Sequence, residues 1–393
     1  MKTENTPRRV MFVINSLGYG GAERALTNIL ATRPKHTDGT SDEIHLVLLD
    51  TLPDARPVPP DVILHRLNGR GSLIRSMLQL RQITAKIRPA IMIALLLRAN
   101  LATAIVGRML HIPTIICERM HVSSHLAQKY RGVRRRLFSR LPRIGYSFST
   151  HILAVSRGVA DDMVEQHSAN PSKLSIINNP FDLARIRADG AAASSVPNIP
   201  ARFAIAIGRL EPAKNMKLAI DAFLAAKLDF PLMILGEGSL RPALQHYIEQ
   251  QQAQDRIILA SYQDNPFATL AKAQFYISAS RNEGFPNAMM EAMILGIPVI
   301  ATDCPSGPAE IAGVESADPT APVTLAPYAI IVPMDRQDAL TSAITQICKA
   351  DLNQHYRAQS LLRAEDFTLE KIGAHYWRKI EQIAQSARRR STK

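Results

Sequence analysis

Residues 273–302 read AQFYISASRNEGFPNAMMEAMILGIPVIAT. The stretch opens on a strand-like run, AQFYISAS (273–280), and closes on another, IPVIAT (297–302). Between them a short polar loop leads into a helical segment. Pro286 is placed to open that helix and Gly296 to end it. Strand, helix and strand in succession imply a parallel crossover with the helix on one face of a sheet. The same alternation extends outward in FAIAIG (203–208), PLMILG (231–236), RIILAS (256–261) and YAIIVP (328–333). Ahead of it, DGAAASSVPNIP (189–200) reads as a linker or surface loop. The first half repeats the scheme: VMFVIN (10–15), IHLVLLD (44–50), VILHRL (62–67), AIMIALLL (90–97), TIICE (114–118), HILAVS (151–156) and LSIINN (174–179). These runs are rich in Val, Ile and Leu with little alternation, as strands covered on both faces should be. Helices fall between them at 23–31, 73–87 and 157–167, the last with Ser156 as N-cap. The expected fold is therefore α/β: two Rossmann-like, doubly wound parallel-sheet domains, 1–178 and 179–366, facing a central cleft. A C-terminal helix, 367–393, is expected to pack back toward the first domain. Ligands of such sheets sit at the carboxyl ends of the strands.

Composition narrows the function. The 393 residues are 46% apolar and 21% charged, which excludes wholesale disorder and coiled coil. No apolar run reaches the roughly 18 residues of a membrane span. The opening MKTENTPRRV leads directly into a strand and carries no secretory signal. Cys117, Cys304 and Cys348 match neither a metal spacing nor a disulfide framework, which suits a reducing cytoplasm. The net charge of +13 lies wholly in residues 1–178, where 25 basic residues face 12 acidic ones. Between Val62 and Arg143 there are 16 basic residues and one acid, Glu118. Such a field attracts phosphate-rich partners: nucleic acid, anionic lipid or phosphorylated substrates.

Four segments carry chemistry. In EGFPNAMME, Glu283 lies in the loop before the helix and Glu291 more than a turn inside it. The amide N–H groups of Gly284, Phe285, Asn287 and Ala288, with Pro286 among them as a non-donor, surround a helix N-terminus, a site for anions and hydroxyls. In GRLEPAKN (208–215), Arg209 and Lys214 flank a loop at a strand's carboxyl end, where two cations suit a diphosphate. In SLGYGGAERALTN (16–28), glycines at 18, 20 and 21 permit a tight turn and close backbone approach to a ligand. The spacing does not satisfy the dinucleotide pattern Gly-x-Gly-x-x-Gly. CERMHVSSH (117–125) places Glu118, Arg119 and His121 in a polar loop after the fifth strand. No Asp-x-Asp triplet occurs, so fixed positive charge rather than a metal cofactor is expected to stabilise a leaving diphosphate.

These segments resemble the retaining glycosyltransferases of family 4 (GT4), which have the GT-B fold. The likeness is strongest at 208–215 and 282–311 and covers most of the chain. It implies that Glu283 contacts the transferred sugar and Glu291 the ribose of the nucleotide. Phe285, Pro286 and Asn287 would line the sugar and pyrophosphate. Arg209 and Lys214 would stabilise the departing nucleoside diphosphate. Gly20 and Gly21 would face the donor phosphate, and His121 would lie beside the reacting sugar as a catalytic residue, with Glu118 and Arg119 in the same acceptor or active-site loop. The implied donor is a UDP-linked sugar and the implied acceptor a glycan, often lipid-linked. Transfer would be metal-independent, by front-face attack, with no protein base.

The basic first domain would then meet an anionic membrane. In YRGVRRRLFSRLPR (130–143), Arg134, Arg135 and Arg136 would face the lipid headgroups, and Leu137, Phe138 and Leu141 would insert as an amphipathic helix does. The resulting expectation is a cytoplasmic enzyme peripherally attached to the inner membrane. Two rivals stand beside it. A nucleotide-sugar epimerase would share the nucleotide site but need no acceptor. A nucleic-acid binder would rest on charge alone, and 5% aromatic residues offer few stacking platforms.

Overall fold

The computed structural model describes residues 7–18, 20–34, 42–318 and 320–391. The opening MKTENT, Tyr19 of the glycine-rich turn and the last two residues of the basic tail lie outside the described residues. The chain divides into two compact units: Met1–Phe181 with Thr368–Lys393, and Asp182–Phe367.

The first unit holds seven strands: Arg9–Ile14 (β1), Glu43–Leu48 (β2), Ile63–Arg66 (β3), Ile91–Leu95 (β4), Thr114–Glu118 (β5), His151–Ala154 (β6) and Leu174–Ile176 (β7). They form one parallel sheet in the order β3-β2-β1-β4-β5-β6-β7. Successive side chains of a strand leave on opposite faces, which explains the uninterrupted apolar runs. Val10, Phe12 and Ile14 pack with Leu26, Ile29, Trp377 and Ile380 of the Gly21–Ala31 and Ala374–Ser391 helices. Met11 and Val13 pack on the other face with Leu80, Ala102 and Val106 of the Leu73–Ile87 and Leu97–Leu110 helices.

The second unit repeats the plan with Ala204–Ile207 (β8), Leu232–Leu235 (β9), Ile257–Ala260 (β10), Tyr276–Ser278 (β11), Val299–Thr302 (β12), Thr324–Leu325 (β13) and Ile330–Val332 (β14). Their order is β10-β9-β8-β11-β12-β14-β13, parallel except for the short β13. The Asn287–Ile294 helix lies on this sheet with Met289, Met290 and Met293 fully buried. In each unit the winding reverses once, between β1 and β4 and between β8 and β11. A reversal leaves a crevice at the strands' carboxyl ends, because the flanking loops depart to opposite faces.

Several local expectations change. The run AIMIALLL is two elements: β4 stops at Leu95, and Leu96, at φ 77° and ψ 144°, turns the chain into the Leu97–Leu110 helix. The supposed linker starts inside a helix, since residues 189–191 finish Leu183–Ala191, capped by Asp182. Gly190 serves close packing there, for a Cβ would fall 2.6 Å from Leu295 Cδ2. Pro286 stands at the N-cap of its helix, one position before the first helical residue. The basic segment 130–143 is not one helix: Gly132–Phe138 and Arg140–Phe148 meet at Ser139.

Candidate active site

The reversal between β8 and β11 brings together the two loops singled out above. After β8 the chain runs through Gly208 and Arg209 into a 3₁₀ turn, Pro212–Lys214, and Asn215 starts the Met216–Ala225 helix. After β11 it runs through Ser280 to Glu283 and the Asn287–Ile294 helix. Lys214 Nζ donates to Glu283 Oε1 at 2.5 Å. Ser280 Oγ donates to the same oxygen at 2.7 Å. The two charged side chains are 24% and 11% exposed, so their pairing is shielded more than a surface bridge. Burial and the Glu283 charge push up the Tyr276 phenol and the Cys304 thiol, burial being the larger cause. Both therefore stand neutral beside the pair, and Lys214 supplies its positive charge.

The loops are fixed from behind. Arg281 N–H donates to the Ala213 carbonyl at 2.7 Å. Asp335, in the loop after β14, accepts from Arg281 Nε at 2.7 Å and from Asn215 Nδ2 at 3.0 Å. Ser306 Oγ donates to the Glu283 carbonyl at 2.7 Å. Gly307, at φ 97°, presses against the same loop: a Cβ would lie 2.6 Å from Pro286 Cδ. Gly208 leaves room for the Lys214 stem, whose Cδ and Cε would be 3.3 Å from a Cβ there.

The remaining positions of this unit sit as follows. Glu291 is buried one turn into its helix, eight residues after Glu283. Gly284, Phe285 and Pro286 are buried, Asn287 and Ala288 half-buried, and the Phe285 ring lies 5.3 Å from that of Phe367. Arg209 is 75% exposed and pairs with Glu211 at 2.9 Å. Lys214 and Glu283 thus meet directly, while Arg209 extends from the same loop into solvent. Sequence reasoning had not singled out Ser280 or Asp335. Ser306 falls within 282–311, one of the two stretches where the likeness is strongest.

The candidates of the first unit occupy two places. Gly20 is the N-cap of the Gly21–Ala31 helix at the carboxyl end of β1, and a Cβ on it would strike the Glu23 carboxylate at 2.2 Å. Glu118, expected in the loop, is the last residue of β5, paired with Ala154 of β6; Arg119 and His121 follow it. Glu118 is turned inward: Tyr146 Oη and Asn100 Nδ2 donate to its Oε2 at 3.3 and 3.4 Å. Burial raises its pKa to about 7. Arg119 is 9% exposed and its Nη1 donates to Asn179 Oδ1 at 2.5 Å. Its Nε and Nη2 find no acceptor among the described residues. His121 caps the Val122–Lys129 helix, with Nδ1 accepting from the Ser124 amide and hydroxyl. Its proton is thereby directed to Nε2, 3.7 Å from the buried Asp162 Oδ1.

The basic segment lies apart from these. Arg131, Arg134, Arg135, Arg136 and Arg140 are exposed and form no ion pair among the described residues. Val133, Leu137, Ile144 and Phe148 are exposed among them. Phe138 is half-buried, stacked on Tyr130 at 4.2 Å, so the apolar surface is supplied chiefly by its neighbours. No helix among the described residues is long and apolar enough to cross a membrane.

HepE of Anabaena, solved with UDP and glucose, has the same fold: TM-score 0.73 at 17% identity, over 95% of this chain and all of HepE. Two wound parallel sheets, each with a winding reversal, are the GT-B fold. Residues 19–185 match the model of Glycosyltransferase Family 4 and residues 201–350 that of Glycosyl transferases group 1. Between them the two models span most of the chain, which carries glycosyltransferase group 1 and family 4 domains. It is 30% identical over 222 residues to the N-acetylgalactosamine-N,N'-diacetylbacillosaminyl-diphospho-undecaprenol 4-alpha-N-acetylgalactosaminyltransferase of Campylobacter jejuni, covering 56% of this chain and 57% of that one. It is 32% identical over 165 residues to the lipopolysaccharide 1,6-galactosyltransferase of Escherichia coli, covering 40% of this chain and 44% of that one. The matched stretches thus span about half the length of these relatives.

Proposed function

We propose that this enzyme transfers a hexosyl or N-acetylhexosaminyl group, with retention and without a metal, from a UDP-sugar to a lipid-linked glycan. The observation that carries the reading is the Lys214–Glu283 pair at the β8/β11 reversal, beside the N-terminus of the Asn287–Ile294 helix. Cleavage of the glycosyl–phosphate bond leaves negative charge on the diphosphate. Lys214, Arg209 and the amides of the EGFPN loop are the fixed positive groups that answer it. Glu283 orients sugar hydroxyls and Glu291 the ribose. The departing phosphate oxygen takes the acceptor's proton on the face where the new bond forms. The UDP bound by HepE and the polyprenyl diphosphate in the name of the Campylobacter relative support the choice of donor and acceptor. The deciding experiment is a thermal-shift panel of nucleoside diphosphates with magnesium and with EDTA. UDP at 100 times its Kd should stabilise the fold by about 2.7 kcal/mol, equally in both conditions. A response to no nucleotide would refute the reading, and one that EDTA abolishes would refute metal independence.

The acceptor side is assigned to an anionic membrane at the cytoplasmic face. Exposed arginines that form no ion pair among the described residues, interleaved with exposed Val133, Leu137, Ile144 and Phe148, support this. Each arginine near such a surface contributes about 1 kcal/mol. Replacing Arg134, Arg135 and Arg136 by glutamine should therefore weaken binding to phosphatidylglycerol vesicles by roughly two orders of magnitude. UDP binding should be unchanged. Vesicle affinity equal to wild type would remove the membrane assignment.

A further inference from the structure

The chain passes between its two units twice, after Phe181 and after Phe367. On the side of the first unit the two passages are fastened together. Phe181 and Thr368 form a parallel bridge. The Gly21–Ala31 helix holds both passages. Asn28 Nδ2 donates to the Pro180 carbonyl at 2.8 Å, and the Ile29 carbonyl accepts from Trp377 Nε1 at 3.0 Å. Thr32, just beyond that helix, crowds Gly373, where a Cβ would lie 2.4 Å from its Oγ1. Leu369–Gly373 winds as a π-helix, a rare turn that needs such support.

Arg119 stands between the passages. Nη1 holds Asn179 on the outgoing one, and the guanidinium carbon lies 5.4 Å over the ring of Tyr376 on the returning one. Asn179 and Tyr376 are buried, as Arg119 is. The planar guanidinium serves both contacts at once, donating at its edge while its charge rests on a ring face. Sitting just past β5, it joins both passages to the first sheet.

We propose that Arg119 is a positioning residue that rivets the two passages to the first sheet, fixing where the chain leaves and re-enters the first unit, and that transfer depends on this fixing. The proposal rests on the glycosyl-transfer reading, in which the second unit holds the nucleotide. The test compares Arg119→Lys, Arg119→Met and Tyr376→Phe in the full chain. UDP affinity is measured by calorimetry, UDP release is measured from the UDP-sugar that the wild type turns over, and amide exchange is followed by mass spectrometry. Arg119→Met should keep UDP affinity within twofold, lower kcat at least tenfold, and speed exchange at 178–181 and 368–376 while β1 stays protected. Arg119→Lys should recover only part of kcat. Tyr376→Phe, which keeps the ring face but loses the hydroxyl's hydrogen bond with Arg119, should lower kcat less than Arg119→Met does. A raised KM for the UDP-sugar with unchanged kcat and exchange would make Arg119 a substrate ligand and overturn the proposal. A lowered Tm with unchanged kcat would overturn it as well. Failure of the wild type to bind UDP would sink the transfer reading instead, and the exchange data would still decide the rivet.

Discussion

Lys214→Ala is expected to slow glycosyl transfer by two to three orders of magnitude, about 3–4 kcal/mol of transition-state stabilisation, with the circular dichroism spectrum unchanged. The size follows from where the charge sits. Lys214 Nζ is held 2.5 Å from Glu283 Oε1 in a partly enclosed crevice, and Gly208 gives its stem a fixed path. A cation already in place costs no reorganisation when the diphosphate departs. The variant leaves Glu283 with the Ser280 hydroxyl and no cation. Its uncompensated charge then repels the incoming diphosphate, so UDP affinity should fall along with turnover. Steady-state rates and UDP titration on the same preparation check both. Turnover within threefold of wild type, on folded protein, would remove Lys214 from the leaving-group assignment.

Gly236→Ala should destabilise the protein by about 3 kcal/mol or more. For a unit of this size that lowers Tm by roughly 6–12 °C. Gly236 has φ 148°, and a Cβ on it would lie 2.0 Å from the carbonyl oxygen of Gly208. The obstacle is backbone, so no side chain can swing aside. Around it the loops after β8 and β9 are bonded main chain to main chain: Gly208 N–H donates to the Leu235 carbonyl at 3.1 Å, and Leu210 N–H to that of Glu237 at 2.8 Å. Gly238 approaches Leu210 as closely, its Cβ position lying 2.4 Å from the Leu210 oxygen. Any relief must shift Gly208, and with it the stem of Lys214. Differential scanning calorimetry reads the effect, and a Tm within 2 °C of wild type would show that the two loops are not locked in this way.

How much of this was legible in the sequence depended on what each residue's surroundings add. The strands read clearly because both faces are covered, so Val, Ile and Leu run without interruption. Which face each residue covers depended on register, as in the split between Phe12 and Met11. The Leu97–Leu110 helix was illegible because it is buried nearly all round and presents no polar stripe. The EGFPN and GRLEPAK loops announced themselves through glycine, proline and charge at strand ends. Ser280 and Asp335 did not, since a polar residue closing a strand is ordinary. In the sheet β12 separates β14 from β11, and only the folded loops bring Asp335 onto those after β8 and β11. Arg119 was legible as a polar loop residue after a strand. Its contacts with Asn179 and Tyr376 are set by tertiary packing across long sequence separations.

The bridge between Phe181 and Thr368 has a consequence for how such a chain diversifies. Topologically, residues 182–367 are an insertion into a host fold, entered and left at neighbouring points. Bridged residues of adjacent strands lie about 5 Å apart, so the host could be closed across the gap by a very short connector. The inserted piece is a cassette with both ends at one doorway. Under the function proposed above, a gene that exchanges it whole would acquire a new nucleotide-sugar preference while the terminal helix and the basic face stay as they are.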